Sequence, residues 1–341
     1  MKKLILISAL LIFACEQKIE HYISSGNDKA QEKDYNGAIA DYTRAIELDP
    51  KKPYYYYHRG KSKNNLKDYN GAISDYTKAI ELTKAIELVK PIPSATISLR
   101  TKFYRYRGNS KLELKDYEGA MADFTRAIEL DPNDDYAYKI RGDAKNSLED
   151  YKGAITDYTK AIEINPNYDY AYLIRGDAKN SLEDYKGAIA DYTKAIEISP
   201  NDDYAYKIRA RSKHEIKDYK GAIKDYTKLI EISPSYYKNY YYRALIKHEI
   251  KDYKGAIADY TKSIELNPND DAHYFNASLR RYRTPKIRKD YRDAYKNRAR
   301  SKHEIKDYNG ACEDLKKPKG PELAYRDYCS NGSNDAPTFP Y

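Results

Sequence analysis

A tyrosine preceded by aspartate and followed two residues later by glycine recurs at Tyr35, Tyr69, Tyr117, Tyr151, Tyr185, Tyr219, Tyr253 and Tyr308. Successive separations are 34, 48, 34, 34, 34, 34 and 55 residues. A fixed period in this range marks stacked supersecondary units and settles the architecture before composition is consulted. In the unit 135–168, Gly153 to Ile164 places Ala154, Ile155, Tyr158, Ala161 and Ile162 on one helical stripe. Asp150 stands where it can cap that helix, and Pro166 ends it. The preceding segment, Tyr136 to Leu148, carries Tyr138, Gly142 and Leu148 at helical spacing. Glycine is unfavourable inside a helix, so Gly142 predicts close approach of the partner helix. One such pair cannot bury its apolar faces alone, whereas a stack of pairs can.

The motif Tyr138-x-x-Arg141-Gly142-x-x-Lys145, then Ala154-x-x-x-Tyr158, then Pro166, resembles the tetratricopeptide repeat family. It departs from that pattern with Tyr for Trp, Arg for Leu and Lys for Tyr. The arginine recurs as Arg59, Arg107, Arg175, Arg209, Arg243 and Arg298, which makes it a consistent variant. The resemblance covers residues 19–318 and implies an all-α, right-handed α-solenoid of about eight helix pairs with two irregular insertions. The expected segments are a signal peptide (1–14), repeats 1–2 (15–82), a helix extension and loop insertion (83–100) and repeats 3–7 (101–268). A basic insertion (269–291), repeat 8 (292–318), a capping helix (319–329) and a disordered tail (330–341) follow.

A carboxylate series, Asp41, Asp75, Asp123, Asp157, Asp191, Asp225, Asp259 and Asp314, accompanies the arginines. Catalysis needs one distinct constellation, and a motif copied in every unit does not define one, so the series predicts a ladder of ion pairs. The chain has no glycine-rich phosphate loop, no G-x-S-x-G and no H-E-x-x-H. No enzyme activity and no cofactor are expected. His214, His248 and His303 occupy equivalent places in the word KHEIKDY, one helix-pair spacing apart, which suits solvated groove positions better than one metal ion.

Binding of a protein or peptide is the expectation. In the resembled family the first helix of each pair lines the concave face. Carried over, the groove positions are Tyr136, Lys139, Asp143 and Asn146, then Tyr170, Leu173, Asp177 and Asn180. Tyr204, Lys207, Arg211 and His214 follow, and then Lys238, Tyr241, Leu245 and His248. These first helices differ while the second helices are nearly identical, and aromatics and amides with scattered charge suit an extended peptide. A solvated face that has simply drifted is the plainer alternative.

The N-terminus reads MKKLILISALLIFACEQ. Lys2 and Lys3 precede an apolar run too short to span a bilayer, the layout of a secretory signal. Ile12-Phe13-Ala14-Cys15 resembles a bacterial lipobox, which implies cleavage before Cys15 and lipid on that residue, and so a membrane-anchored chain in a bacterial envelope. The outer membrane or cell surface is favoured over the inner membrane. The chain carries 61 Lys+Arg and 52 Asp+Glu, a net charge of +9, and loses two of those charges with the signal. Residues 271–307 hold 12 Lys+Arg and five acids, a local +7 equal to that of the whole mature chain. This basic end includes Arg280, Arg281, Arg283, Lys286, Arg288 and Lys289. Export argues against nucleic acid, and anionic lipid, acidic glycan or an acidic protein fits better. Export also makes Cys312 and Cys329 disulfide candidates. Similar repeat proteins end in G-A-C and a later Y-C, matching Gly310-Ala311-Cys312 and Tyr328-Cys329.

Residues 77–88, TKAIELTKAIEL, write one word twice. Six extra helical residues add about 9 Å and about 240° of rotation, so Ala85 and Ile86 cannot lie under Ala79 and Ile80. An overlong helix is expected, stopped at Lys90-Pro91-Ile92-Pro93, with Ser94 to Leu99 returning the chain to the stack.

Overall fold

The computed structural model describes residues 2–87, 94–266 and 285–316. The described residues form α-helices and no strands. The chain divides into two units, Met1–Leu182 and Glu183–Tyr341. The first holds α1 (Lys2–Gln31), α2 (Tyr35–Leu48), α3 (Pro53–Asn65), α4 (Tyr69–Glu87) and α5 (Ser94–Glu113). It continues with α6 (Tyr117–Leu130), α7 (Asp135–Ser147), α8 (Tyr151–Ile164) and α9 (Asp169–Ser181). The second holds α10 (Tyr185–Ile198), α11 (Asp203–Glu215), α12 (Tyr219–Ile232), α13 (Tyr237–Glu249), α14 (Tyr253–Leu266), α15 (Pro285–Glu304) and α16 (Tyr308–Lys316). Within each unit every helix packs on its neighbours in sequence, the arrangement of a tetratricopeptide-type solenoid. Among the described residues no helix is long and apolar enough to cross a membrane.

Each second helix begins at an aspartate. The Asp150 carboxylate accepts from the Gly153 backbone N–H at 3.0 Å, and Asp68, Asp116, Asp184, Asp218, Asp252 and Asp307 repeat the contact. The turn before each cap uses a left-handed residue that is never glycine: Lys33, Lys67, Lys115, Glu149, Glu183, Lys217, Lys251 and Lys306 all have φ between 60° and 66°. A side chain there crowds its own carbonyl. Lys217→Gly should therefore raise the urea midpoint of the second unit, with a gain of about 0.5–1 kcal/mol once the extra freedom of the unfolded glycine is set against it.

The core is built from Ala, Tyr and Ile of the second helices. Ala154, Tyr158 and Ala161 are at most 1% exposed, as the sequence stripe requires. Leu148 does not belong to that buried set. It is 47% exposed at the turn, as are Leu66, Leu114 and Leu182 at 40–43%, because the helix ends before it and the left-handed residue turns the chain away. A Cβ on Gly142 would stand 2.5 Å from Tyr158 Cε1, and Gly60 and Gly108 meet Tyr76 and Phe124 in the same way. Close helix approach is thus why glycine stands inside α7. In α11 and α13 the same place is Ala210 and Ala244, both fully buried. Gly142→Ala should cost about 1 kcal/mol net in thermal unfolding, with overpacking outweighing the better helix propensity.

The doubled word lies in α4, which runs unbroken from Tyr69 to Glu87, 19 residues against 14 in α8. Thr83 is 1% exposed and donates to the Ala79 and Ile80 carbonyls, while Ala85 is exposed. The return segment differs from the expected loop. Ser94 to Leu99 form the first turns of α5, which carries Phe103 into the core at 0% exposure. The loop insertion cannot extend through residue 100, because these residues already contribute helical packing. The 269–284 part of the basic insertion, the expected capping helix 319–329 and the tail 330–341 lie outside the described residues. So do the side chains of Lys286, Arg288 and Lys289, and the whole of Arg280, Arg281, Arg283 and Cys329. Cys15 sits on α1 with a free, half-exposed thiol.

Candidate functional site

The recurrent Arg and Asp form ladders inside each unit. In the first, the Arg59 fork donates from Nε and Nη2 to both Asp75 oxygens at 3.0 and 2.7 Å. Arg107–Asp123 and Arg141–Asp157 repeat this at 2.6–2.9 Å. In the second unit Arg209–Asp225, Arg243–Asp259 and Arg298–Asp314 do the same. The lysine four residues after each arginine adds a third contact, as in Lys145–Asp157 at 2.8 Å and Lys213–Asp225 at 2.9 Å. The arginine also lies over a tyrosine of its own helix, for instance Arg141 over Tyr138 at 5.6 Å. The three departures from the family pattern are therefore one cluster around one buried carboxylate.

Pattern reading missed a fourth member. The remaining guanidinium nitrogen donates to a threonine of the preceding second helix: Arg59 to Thr43, Arg107 to Thr77, Arg141 to Thr125 and Arg243 to Thr227, at 3.0–3.2 Å. The threonine at each place stood in the sequence, in the word DYT or, at Thr125, DFT, and the pattern reading did not tie it to the arginine of the following unit. Each arginine thus joins three helices. Nε, Nη1 and Nη2 of Arg59 are each engaged in contacts within the stack. The first repeat lacks the arginine, and Ser25 and Lys29 hold Asp41 instead, each at 2.6 Å.

The expected groove positions lie on the first helices. In the first unit Tyr136 and Tyr170 are 38% and 48% exposed. Arg105 lies 4.8 Å over the Tyr136 ring and Lys139 Nζ 5.0 Å over the Tyr170 ring, so each tyrosine is propped by a cation of the preceding repeat. Both cations are also neutralised, Arg105 by Asp134 at 2.8 Å and Lys139 by Asp143 at 2.7 Å. Asp143 accepts from the Tyr158 hydroxyl at 3.0 Å, Asn146 and Asp177 are half-buried and Asn180 is exposed. Leu173 is corrected: at 5% exposure it is core, because an apolar side chain at the place of Lys139 has no charged end to carry outward.

An aromatic cluster between α3 and α5 was not anticipated. Tyr57 contacts Tyr76, Phe103 and Tyr106 with ring centroids 5.2–6.2 Å apart. His58 is enclosed by Tyr54 at 4.0 Å and Tyr57 at 5.0 Å. Burial first, and then the Lys61 charge, pushes the His58 imidazole down to about 4.

In the second unit Tyr204 is 43% exposed with Lys207 Nζ 5.0 Å over its ring, and Arg211 is exposed. Tyr241 packs on Tyr242 and Tyr260 and accepts from Asn297 Nδ2 at 3.2 Å, while Leu245 joins the same cluster. Lys238 Nζ lies 5.8 Å from the Tyr237 ring. The histidines are not spare ligands. His214 Nε2 meets Glu249 Oε2 at 2.8 Å, and His248 Nδ1 meets Ser301 Oγ at 2.9 Å, so each links its helix to the next first helix. Burial holds His248 below the ordinary histidine range, against the opposing pull of Glu304. Among the described residues no three His, Cys, Asp or Glu side chains converge as a metal site.

Comparison with known proteins agrees with this geometry. A TPR repeat family matches residues 26–66. Tetratricopeptide repeat families match 101–134 and 136–168, and 53–86, 170–202, 205–236 and 237–270. No curated protein matches the chain. Among solved structures, the C-terminal part of a TPR repeat-containing protein from Cytophaga hutchinsonii is 20% identical, with a TM-score of 0.62 over 73% of this chain and 97% of that one. A tetratricopeptide repeat protein from Parabacteroides merdae is also 20% identical, with a TM-score of 0.49 over 82% of this chain and 99% of that one. YrrB, described as a TPR protein with an unusual peptide-binding site, is 21% identical with a TM-score of 0.46, over 57% and 92% of the two chains. At these identities the likeness is one of fold.

Proposed function

The chain belongs to the tetratricopeptide repeat family, and from that premise we propose that it is a non-catalytic scaffold binding protein or peptide clients on its first-helix faces. It is anchored to a membrane of a bacterial envelope through lipid on Cys15. One observation carries the binding reading. The second helices repeat nearly the same word, YKGAITDYTKAIEI in α8 and YKGAIADYTKAIEI in α10, and Asp157 and Thr159 of α8 are taken up in the ladder. The first helices differ from repeat to repeat and hold the large exposed rings Tyr54, Tyr136, Tyr170, Tyr204 and Tyr242. Exposed tyrosine gives contact area at little entropic cost and is enriched where proteins meet. The N-terminal pattern ending at Ala14-Cys15 supports the anchor.

The test uses soluble residues 16–341 as bait in an envelope extract. Tyr136→Ser with Tyr170→Ser should reduce client recovery several-fold without lowering the melting temperature, since both rings are exposed. Unchanged recovery would remove the first-helix face from the reading. The localised charge of 271–307 supports a second reading, an envelope-assembly factor held to glycan or an anionic surface by its basic end. Sedimentation of the same bait with cell-wall or lipid fractions, without protein clients, would favour it. Cys15→Ala and globomycin sensitivity test the anchor: loss of membrane fractionation is expected, and full retention counts against lipidation.

A further inference from the structure

We propose that the first unit rests on a phospholipid bilayer along one edge, formed by the start of α1, the α2–α3 turn and the paired extensions of α4 and α5. This rests on the reading of Cys15 as the lipid anchor and adds the surface that meets the membrane. The first observation is that no spacer follows the anchor. Cys15 lies within α1, which continues without a break into the packed part of the first repeat. Arg44 of α2 lies 5.6 Å over the Tyr22 ring, which fixes the level of the two antiparallel helices. From Tyr22 the seven residues back to Cys15 span about 10 Å; from Arg44 the four residues on to Leu48 span about 6 Å, and the turn at Lys51 and Lys52 follows. Burial, then Asp49 and Glu20, raises the Tyr55 hydroxyl of α3, so α1 begins beside this turn. A lipid on Cys15 therefore holds the turn within roughly 10 Å of the headgroup layer.

The second observation is what the doubled word builds. α4 runs five residues past Leu82, the counterpart of Leu48 at the end of α2. α5 begins seven residues before Thr101, the counterpart of Asp135 at the start of α7. These extensions project about 7 and 10 Å from the edge where second helices end and first helices begin. Cys15 projects from the same edge, about 6 Å beyond Ile19, the counterpart of Pro53 at the start of α3. The extensions start from packed residues, since Thr83 and Thr101 are buried and Leu82 and Leu99 pack on one core cluster. Along this edge Leu48, Tyr54, Lys84 and Ala85 are exposed, a mixture of apolar, aromatic and cationic groups suited to a bilayer interface. The third observation lies in the turn. The α6–α7 turn reads Asn133-Asp134-Asp135, and Asp134 caps α7 by accepting from the Ala137 N–H at 3.0 Å. At the same places the α2–α3 turn has Lys51-Lys52-Pro53, and α3 has no side-chain cap. The cap is given up where two exposed lysines can meet lipid phosphate. Glu16, Glu20 and Asp49 stand nearby, with Lys52 4.0 Å from Asp49, so the lysines act as local phosphate ligands rather than through a net charge of the edge.

The test is a lysine footprint. The lipid-bearing protein in phosphatidylcholine vesicles and soluble residues 16–341 are acetylated briefly with an N-hydroxysuccinimide ester and read by mass spectrometry. Reactivity of Lys51, Lys52 and Lys84 should fall several-fold on the vesicles, while Lys67 and Lys115, on the left-handed turns of the opposite edge, keep their solution values. The variant K51E/K52E, shown to be folded by an unchanged melting curve, should return Lys84 to its solution reactivity. Equal loss at both edges, or no loss at either, overturns the inference. Protection of Lys84 that survives K51E/K52E also overturns it, because the tether alone would then account for the effect. The anchor reading is scored separately, by the mass of Cys15 in protein taken from cells. If Cys15 carries no lipid, that reading falls, and coupling its thiol to maleimide-phosphatidylethanolamine in the same vesicles tests the edge by the same footprint.

Discussion

Asp225→Ala is expected to destabilise the second unit by about 3–5 kcal/mol, enough to unfold the repeats around α12 at growth temperature. Asp225 is 1% exposed and receives Arg209 Nη2 at 2.6 Å, Arg209 Nε at 2.9 Å and Lys213 Nζ at 2.9 Å. Removing the carboxylate strands two cations that are themselves mostly withdrawn from water, with side-chain exposures of 12% and 15%. The loss follows from that desolvation rather than from the net worth of the ion pair. A second variant separates the two ideas. Asp225→Leu combined with Arg209→Leu and Lys213→Tyr removes every charge at once, and it should recover most of the stability or exceed the parent. Urea unfolding of the three proteins followed by circular dichroism makes the comparison. If the triple variant is no more stable than Asp225→Ala, the ladder contributes more than its desolvation cost.

Acidification should weaken the first unit through His58. Its imidazole titrates at about 4 in the fold against an ordinary value of 6.5, because burial among Tyr42, Tyr54 and Tyr57 disfavours the charged ring. The folded state therefore binds fewer protons than the unfolded chain between those two values. Stability is complete above about pH 6.5 and is lost as pH falls toward about 4, with an upper limit of about 3 kcal/mol. His58→Phe keeps the ring stacking and removes the titration, so its urea midpoint should fall less between pH 7.5 and pH 4.5 than that of the parent. Other carboxylates titrate in the same window, and the difference between the two proteins isolates the histidine. Parallel acid losses would mean that His58 takes its proton without opening the cluster.

Much of this was legible in one dimension because a repeat protein repeats its environment. The caps at Asp150 and its equivalents, the buried stripe of Ala154 and Tyr158, and the tight place at Gly142 each depend on residues within one helix pair. Their spacing announces them. The Arg–Asp pairing was legible for the same reason, since the two residues stand 16 apart in the repeats of Arg59, Arg107, Arg141, Arg209, Arg243 and Arg298. Contacts that cross from one repeat to the next were not. Thr43 under Arg59 and Arg105 over Tyr136 join residues whose neighbourhood is set by the stacking of whole pairs. Leu173 was misplaced by the same limit. Its sequence position says groove, and only packing shows that an aliphatic side chain there is covered while the lysine equivalent reaches out.

The period, the caps, the helix stripes and the two breaks in the repeat were determined by the sequence itself, because each depends on local backbone preference and on apolar spacing within a few turns of helix. Tertiary structure alone decided which cations are neutralised and which remain available. Lys139 finds Asp143 and Arg105 finds Asp134, whereas Lys207, Arg211 and Lys296 form no ion pair among the described residues. Charge compensation acts over a few ångströms in space, and residues that near one another are brought together by packed helices rather than by their order along the chain.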